Sequence, residues 1–436
     1  MSCEAASRNA TAPAPGIAPA MGGVPDGQDI DPKRAAATLV ERFGEGGLDP
    51  RASALVPGFD APFFQAGLAG YSDAAMRVIA RRHGCPLCVT EALLDITLLG
   101  GGRGFAKADL GDLADNVPGG DEDHPTAGQI MGSEPAEMAA AAVKMVEQGR
   151  RAAKDYRTLA ASGAIRAQGA DAGRTFAAID VNLACPVKKI RSKARGGHWL
   201  AEPEGAVRIL EAVREALPPE IPVTVKMRRS YDDTEAMTER FFRIFDAAYD
   251  IGCAWVTVHG RTVEQKYVGP SRWDLLREIA RRRHPGRVRD RLIFGSGDIW
   301  SAGDVFRMMA YTGVTGASVA RGCIGNPWIF RQCRDLLAGR EPREPTVEEQ
   351  RSVLEAHFEL ALAVNERTAK GADAAARRER AELFTAKTMR KFGIQFSRHH
   401  PAAERVKLDF TRAKSLADWR AILGAHYAPA AEPALV

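Results

Sequence analysis

The chain has 436 residues, 45% of them hydrophobic and 26% charged, with a net charge of +5. That content supports a large core and excludes a wholly disordered chain. No apolar run approaches the ~20 residues of a membrane span, no basic start leads into an apolar block, and the seven cysteines are odd in number, so the expectation is a cytoplasmic protein with reduced thiols and no membrane association; a monomer is expected, though nothing in the sequence fixes the oligomeric state.

Residues 1–50 are rich in Ala, Gly and Pro, and carry seven acidic against four basic side chains. They are expected to form a flexible extension holding at most a short helix near Pro32–Phe43, with ordered sequence beginning near Val56. Strand-like runs then alternate with helical ones. The predicted strands are Phe63–Ala66, Leu87–Thr90, Thr126–Met131, Ala177–Asn182, Val223–Met227, Trp255–His259, Leu292–Gly295 and Gly316–Ala320. Helices are predicted at Arg77–Arg82, from Pro135, at Pro203–Leu217 and at Thr234–Tyr249. Eight such units point to an α/β fold, a TIM (β/α)8 barrel over residues 56–340, rather than an open sheet. Leu99–His124 reads as a long loop and Arg150–Thr175 as a surface insertion. After Pro345 the strands stop, and residues 345–428 are expected to form an all-helical domain. Residues 351–436 carry fifteen Lys/Arg against ten Asp/Glu, which suits either a polyanionic partner or an ordinary solvated helix face.

Polar and glycine residues follow most of the predicted strands, and in a barrel those positions converge on the face where active sites lie. Phe294-Gly-Ser-Gly-Asp298 and Val319-Ala-Arg-Gly322 end the last two strands. Paired there, glycines that admit close backbone approach and the charge of Arg321 favour a phosphate site. Lys226 and His259 end near-continuous apolar strands, where an uncompensated charge is costly; each suits a bound ligand or a satisfied partner equally well. Cys185, in Ala184-Cys-Pro186, is followed by Lys188, Lys189, Arg191, Lys193 and Arg195. Such a field lowers a thiol pKa if it is near, and a basic run at an active-site rim suits a phosphate backbone. Cys85-Pro-Leu-Cys88 lacks the second pair a zinc site needs, so no metal is expected.

Taken in order, several stretches resemble one family, the tRNA-dihydrouridine synthases, from about Ala61 to Gln332. They are Gln65-Ala-Gly-Leu-Ala-Gly-Tyr-Ser-Asp73, Val89-Thr-Glu91, Gln129-Ile-Met-Gly-Ser133, Asp180-Val-Asn-Leu-Ala-Cys-Pro-Val-Lys-Lys189, His259-Gly-Arg-Thr262, Tyr267-Val-Gly-Pro270, Gly297-Asp-Ile299 and Gly325-Asn-Pro-Trp-Ile-Phe-Arg-Gln332. The resemblance implies an FMN-dependent barrel that uses NADPH or NADH to reduce uridine in tRNA to 5,6-dihydrouridine. It implies flavin contacts from Gly67, Leu68, Ala69, Gln129, Lys226 and His259, and phosphate-side contacts from Ser296, Gly297, Asp298, Ala320 and Arg321. It makes Cys185 the proton donor. Asn182, Lys188, Lys189 and Arg261 are expected to meet the RNA substrate. Gly67 stands where the family has proline, Leu68 for methionine, Ser296 for asparagine and Ala320 for glycine; Ala320 still offers its N–H provided its φ is negative. The helical tail resembles the family's tRNA-binding domain, and its Lys387, Arg390, Lys391, Arg398, His399 and His400 are expected to face tRNA, away from the flavin. Two other readings stay open here: a flavin barrel acting on a free small molecule, and an RNA-binding protein without chemistry.

Overall fold

Every predicted strand is present, and hydrogen bonding closes them into a ring. The computed structural model describes residues 27–100, 121–147, 153–163, 165–166, 175–187, 196–282 and 291–428. The strands are β1 (Phe63–Gln65), β2 (Cys88–Val89), β3 (Leu93–Leu94), β4 (Thr126–Met131), β5 (Ala178–Leu183), β6 (Val223–Arg228), β7 (Trp255–His259), β8 (Ile293–Ser296) and β9 (Gly316–Val319). All pairings are parallel. Gln65 faces Val319 of β9 on one side and Cys88 of β2 on the other, and Cys88 faces Thr126 of β4. Eight strands therefore close a barrel, and β3 is a short addition beside the end of β4. Two residues carry no alternation, which is why β3 has no signature in the sequence.

Two cores follow from the period-two alternation of parallel strands. Outward residues such as Ile179, Val181, Val225 and Val256 pack against the surrounding helices. Inward residues at the strand starts, including Phe64, Ala127, Ala178, Trp255 and Phe294, form a separate apolar floor. Phe59 sits at its centre, with ring centroids 6.1 Å from Phe64 and from Trp255 and 5.9 Å from Phe294.

That floor corrects the expectation for the N-terminal segment. Residues 27–55 are built into the fold, with α1 (Pro32–Phe43) and α2 (Pro50–Leu55). Leu48, Ala52 and Val56 are buried in the floor cluster, so ordered structure begins well before Val56. The local signals are Asp31-Pro32 and Asp49-Pro50: each aspartate caps the backbone two residues on, and each proline occupies the first helical turn. Ala35 and Ala36 give α1 its small buried face. An alanine-rich composition concealed a packing surface. Residues 1–26 lie outside the described residues.

The segment 150–175 is likewise more regular than expected. Its described part contains the helix Ala153–Ala161, which packs against Pro135–Glu147 and Asp95–Gly100. Beyond the last barrel helix (Trp328–Leu337) come four helices, Val347–Thr368, Ala374–Phe396, Ala403–Arg412 and Leu416–His426. Trp419 anchors them, its ring 5.0 Å from Phe358 and 4.8 Å from Phe410. The first of the four lies against Ala74–Arg82 of the barrel.

Candidate active site

The register stacks polar side chains in layers above the apolar floor. Gln129 is level with Asp180, Asn182 with Lys226, and Arg228 with His259, which in turn faces Ser296. Within β5 the alternation sends Asp180 and Asn182 to one face; within β6 it does the same for Thr224, Lys226 and Arg228.

These groups form one hydrogen-bonded chain. Asp180 is buried and accepts from Thr224 Oγ1 and Gln129 Nε2, both at 2.6 Å. Gln129 Oε1 accepts from Asn182 Nδ2 at 2.8 Å. Asn182 Oδ1 accepts from the amides of Ala184 and Cys185 at 2.9 and 3.0 Å. Asp180 accepts at both oxygens, so it dictates which way both amides face and, through them, where the Cys185 turn sits. Asn182 thereby holds the turn, with one Nδ2–H engaged by Gln129. Arg228 closes the turn from the other side, donating to Ala184 O at 2.9 Å and to Thr262 O and Lys266 O, both at 2.7 Å.

Burial decides the electrostatics. It pushes the half-buried Cys185 thiol up, against smaller downward effects of the Val187 amide and Arg228. Within the described residues the balance favours a neutral thiol that carries a proton. Lys188, Lys189 and the rest of the basic run to Arg195 lie outside the described residues. Burial also raises Asp180, opposed by its hydrogen bonds from Thr224 and Gln129 and by the charge of Lys226. Lys226 is lowered to about 8 by burial, with Asp180 opposing. Its hydrogen bond within the described residues is a long one, 3.3 Å to Ser296 Oγ, which leaves ammonium donors for an anionic or electron-rich ligand. His259 is pushed well below its ordinary value by burial and by Arg228, Lys226, Arg261 and Arg321. Its Nδ1 accepts the Arg261 N–H at 3.1 Å, so the neutral ring carries its proton on Nε2.

The remaining predicted residues fall on three mouth loops. Gly67 lies where a Cβ would come within 2.4 Å of Thr90 O and 3.0 Å of Gln129 Oε1. A side chain at that position would force the Thr90 carbonyl to shift. Leu68 donates its N–H to Ser72 Oγ at 2.8 Å, while Ala69 is exposed. Gly297 adopts φ 112° and Asp298 φ 54°, both left-handed conformations that tighten the turn after β8. Ala320 has φ −104°, which meets the condition for its N–H. Arg321 lies 4.8 Å from the Trp300 ring, 5.3 Å from the Tyr267 ring, and 3.7 Å from Asp298.

Arg261 and Asp298 need correction. Arg261 is buried, pairs with both Asp298 oxygens at 2.7 Å, and also donates to Gly269 O. Asp298 accepts from Ser271 N at 2.7 Å as well. The two side chains tie loops together: Arg261, expected at the RNA, and Asp298, expected on the phosphate side of the cofactor, pair with each other. Arg261 Nη1 is buried without a partner among the described residues. With Lys226 and Arg321 it forms a cationic set with spare donors, and that set fits an anionic cofactor.

Sequence reasoning passed over Asp180, Arg228 and Tyr267. Asp180 and Arg228 carried a usable signal: each lies two residues from a singled-out strand residue and so shares its face. Tyr267 and Val268 are 58% and 76% exposed at the mouth, a placement that depends on loop geometry.

One test follows from Lys226. Affinity for an anionic ligand over the mouth should fall by up to ~10-fold per pH unit as pH rises through about 8, because the favourable form is the protonated one. A fluorescence titration of FMN against pH reads this. Lys226→Met should bind more weakly and lose the alkaline limb; an unchanged limb would remove Lys226 from the site.

A dihydrouridine synthase family model matches residues 159–414. A probable tRNA-dihydrouridine synthase of Treponema pallidum is 31% identical over 278 residues, covering 63% of this chain and 70% of that protein. A tRNA-dihydrouridine synthase B of Pseudomonas aeruginosa is 29% identical over 335 residues, 76% of this chain and 87% of the relative. A probable tRNA-dihydrouridine synthase of Mycobacterium tuberculosis is 36% identical over 189 residues, which span 46% of its length.

Proposed function

Since the chain belongs to the dihydrouridine synthase family, we propose that it reduces the C5–C6 double bond of uridine in tRNA to 5,6-dihydrouridine, with FMN as bound cofactor and NADPH or NADH as reductant. The observation that carries this reading is the Asp180–Gln129–Asn182–Cys185 chain, which holds a neutral thiol just past the end of β5, above the layer in which Asn182 faces Lys226. Lys226, Gln129, His259 and the Gly67 turn would hold the ring of FMN. Arg321, the Ala320 amide and the Ser296–Gly297 turn would hold its phosphate. When bound and reduced, FMN supplies hydride for C6 of the uracil. Cys185 Sγ donates the proton to C5, and the remaining Asn182 N–H orients the uracil edge. Lys226 balances negative charge on the ring. A uridine reaches such a site only by leaving its stack, which costs least in a loop.

The experiment is reconstitution. Purified protein with FMN, NADPH and unmodified tRNA should form dihydrouridine, while free uridine should neither bind nor react. Turnover of a free pyrimidine instead would favour the small-molecule reading. No flavin bound at all would favour an RNA-binding protein. Arg321→Ala should weaken FMN binding about 10-fold. This is the low end of the roughly 1.5–3 kcal/mol for a charge-assisted bond, because the guanidinium is about a third exposed. Unchanged flavin retention on dialysis would move the phosphate elsewhere.

A further inference from the structure

The expectation that the helical tail lies away from the cofactor is not met. Arg398, just past helix Ala374–Phe396, donates from Nη2 to Gly322 O at 3.2 Å and to Ile324 O at 3.1 Å. Gly325 has φ +63°, and a Cβ there would come within 2.5 Å of Gln395 Cβ and 2.7 Å of Phe396 N. Trp328, at the end of the same loop, meets the rings of Phe396 at 5.5 Å and His399 at 5.3 Å. The neighbouring mouth loop is gripped as well: Lys391 donates to Gly70 O, and its ammonium lies 4.6 Å from the Tyr71 ring centroid. Residues 391–399 therefore contact both the turn after β1 and the turn after β9.

We propose that Arg398 is a positioning residue for the cofactor phosphate. It clamps Gly322–Gly325, and through them the adjoining Ala320 and Arg321, so that the helical domain completes the FMN site. The proposal rests on the FMN reading above. Two carbonyl oxygens taken up by one guanidinium keep a glycine-flanked loop in a single conformation before the ligand arrives. A loop ordered in advance loses less conformational freedom on binding. Arg398 is thereby removed from the set of side chains expected to face tRNA.

The test uses the full-length protein, stripped of flavin and titrated with FMN by fluorescence. Arg398→Met keeps the side-chain stem and removes both bonds; it should raise the FMN dissociation constant roughly 10-fold, with no comparable change in the unfolding midpoint of the flavin-free protein. Arg398→Lys, which can donate to both carbonyls, should restore most of the affinity. Arg405→Ala, an exposed change on helix Ala403–Arg412, should behave as wild type. Wild-type affinity in Arg398→Met, or no rescue by lysine, overturns the proposal. If Arg398→Met does not fold, hydrogen exchange on the wild type decides: FMN should protect 395–400 together with 320–325, and protection confined to 320–325 overturns the clamp. Wild-type protein and Arg321→Ala separate the two claims. If wild type binds no FMN, the cofactor reading fails; if Arg321→Ala loses FMN and Arg398→Met does not, only the clamp fails.

Discussion

Replacing Cys185 with alanine should lower dihydrouridine formation by ~10²-fold or more while the flavin stays bound and reducible by NADPH. The expectation rests on how the thiol is held. Its own amide is fixed by Asn182 Oδ1, and its carbonyl accepts from Gly197 N at 2.9 Å. A Cβ on Gly196 would stand 3.0 Å from Cys185 Cβ, so the next described segment closes directly over it. Burial keeps the thiol protonated at neutral pH, which suits a proton donor and not a nucleophile. Cys185→Ser retains a hydroxyl of far weaker acidity and should fall between the two. Single-turnover assays with pre-reduced protein and tRNA read the step directly. Normal product from Cys185→Ala would assign the proton to another group.

The barrel was legible because its strands are buried on both sides. Thr126–Met131 and Trp255–His259 read as short apolar runs, the first followed by a helix signal at Pro135, and the structure reproduces those bounds. The site was legible through glycines and isolated polar residues at strand ends. What stayed hidden was relational. Composition made residues 27–55 look flexible apart from one short helix, yet Leu48 and Ala52, with Phe59 just beyond, plug the barrel floor. Charge made Arg398 look like an RNA contact, yet two carbonyls of the barrel take it up. In each case a local property was read correctly, and a partner distant in sequence decided its role.

The largest stability effect should come from Asp123, which lies within a stretch that reads as loop. Asp123 and Arg77 are both fully buried. Arg77 Nε lies 3.1 and 3.0 Å from the two Asp123 oxygens, Nη2 lies 2.5 Å from Oδ2, and Nη1 reaches Ser72 O at 3.1 Å. Asp123→Ala strands a buried guanidinium, so it should cost roughly 3–5 kcal/mol in urea unfolding. Arg77→Met combined with Asp123→Leu removes both charges and should recover much of that loss, because the pair itself contributes less than its breakage costs. The consequence reaches the mouth. Ser72, whose carbonyl Arg77 holds, accepts the Leu68 N–H through its hydroxyl at 2.8 Å, so the same pair tethers the Gly67–Ser72 turn. The single variant should therefore release FMN at a temperature where its circular dichroism still reports a folded barrel, whereas a purely global destabilisation would lose both signals together. A cost under about 1 kcal/mol would mean that water reaches the pair and that the turn is held by other contacts.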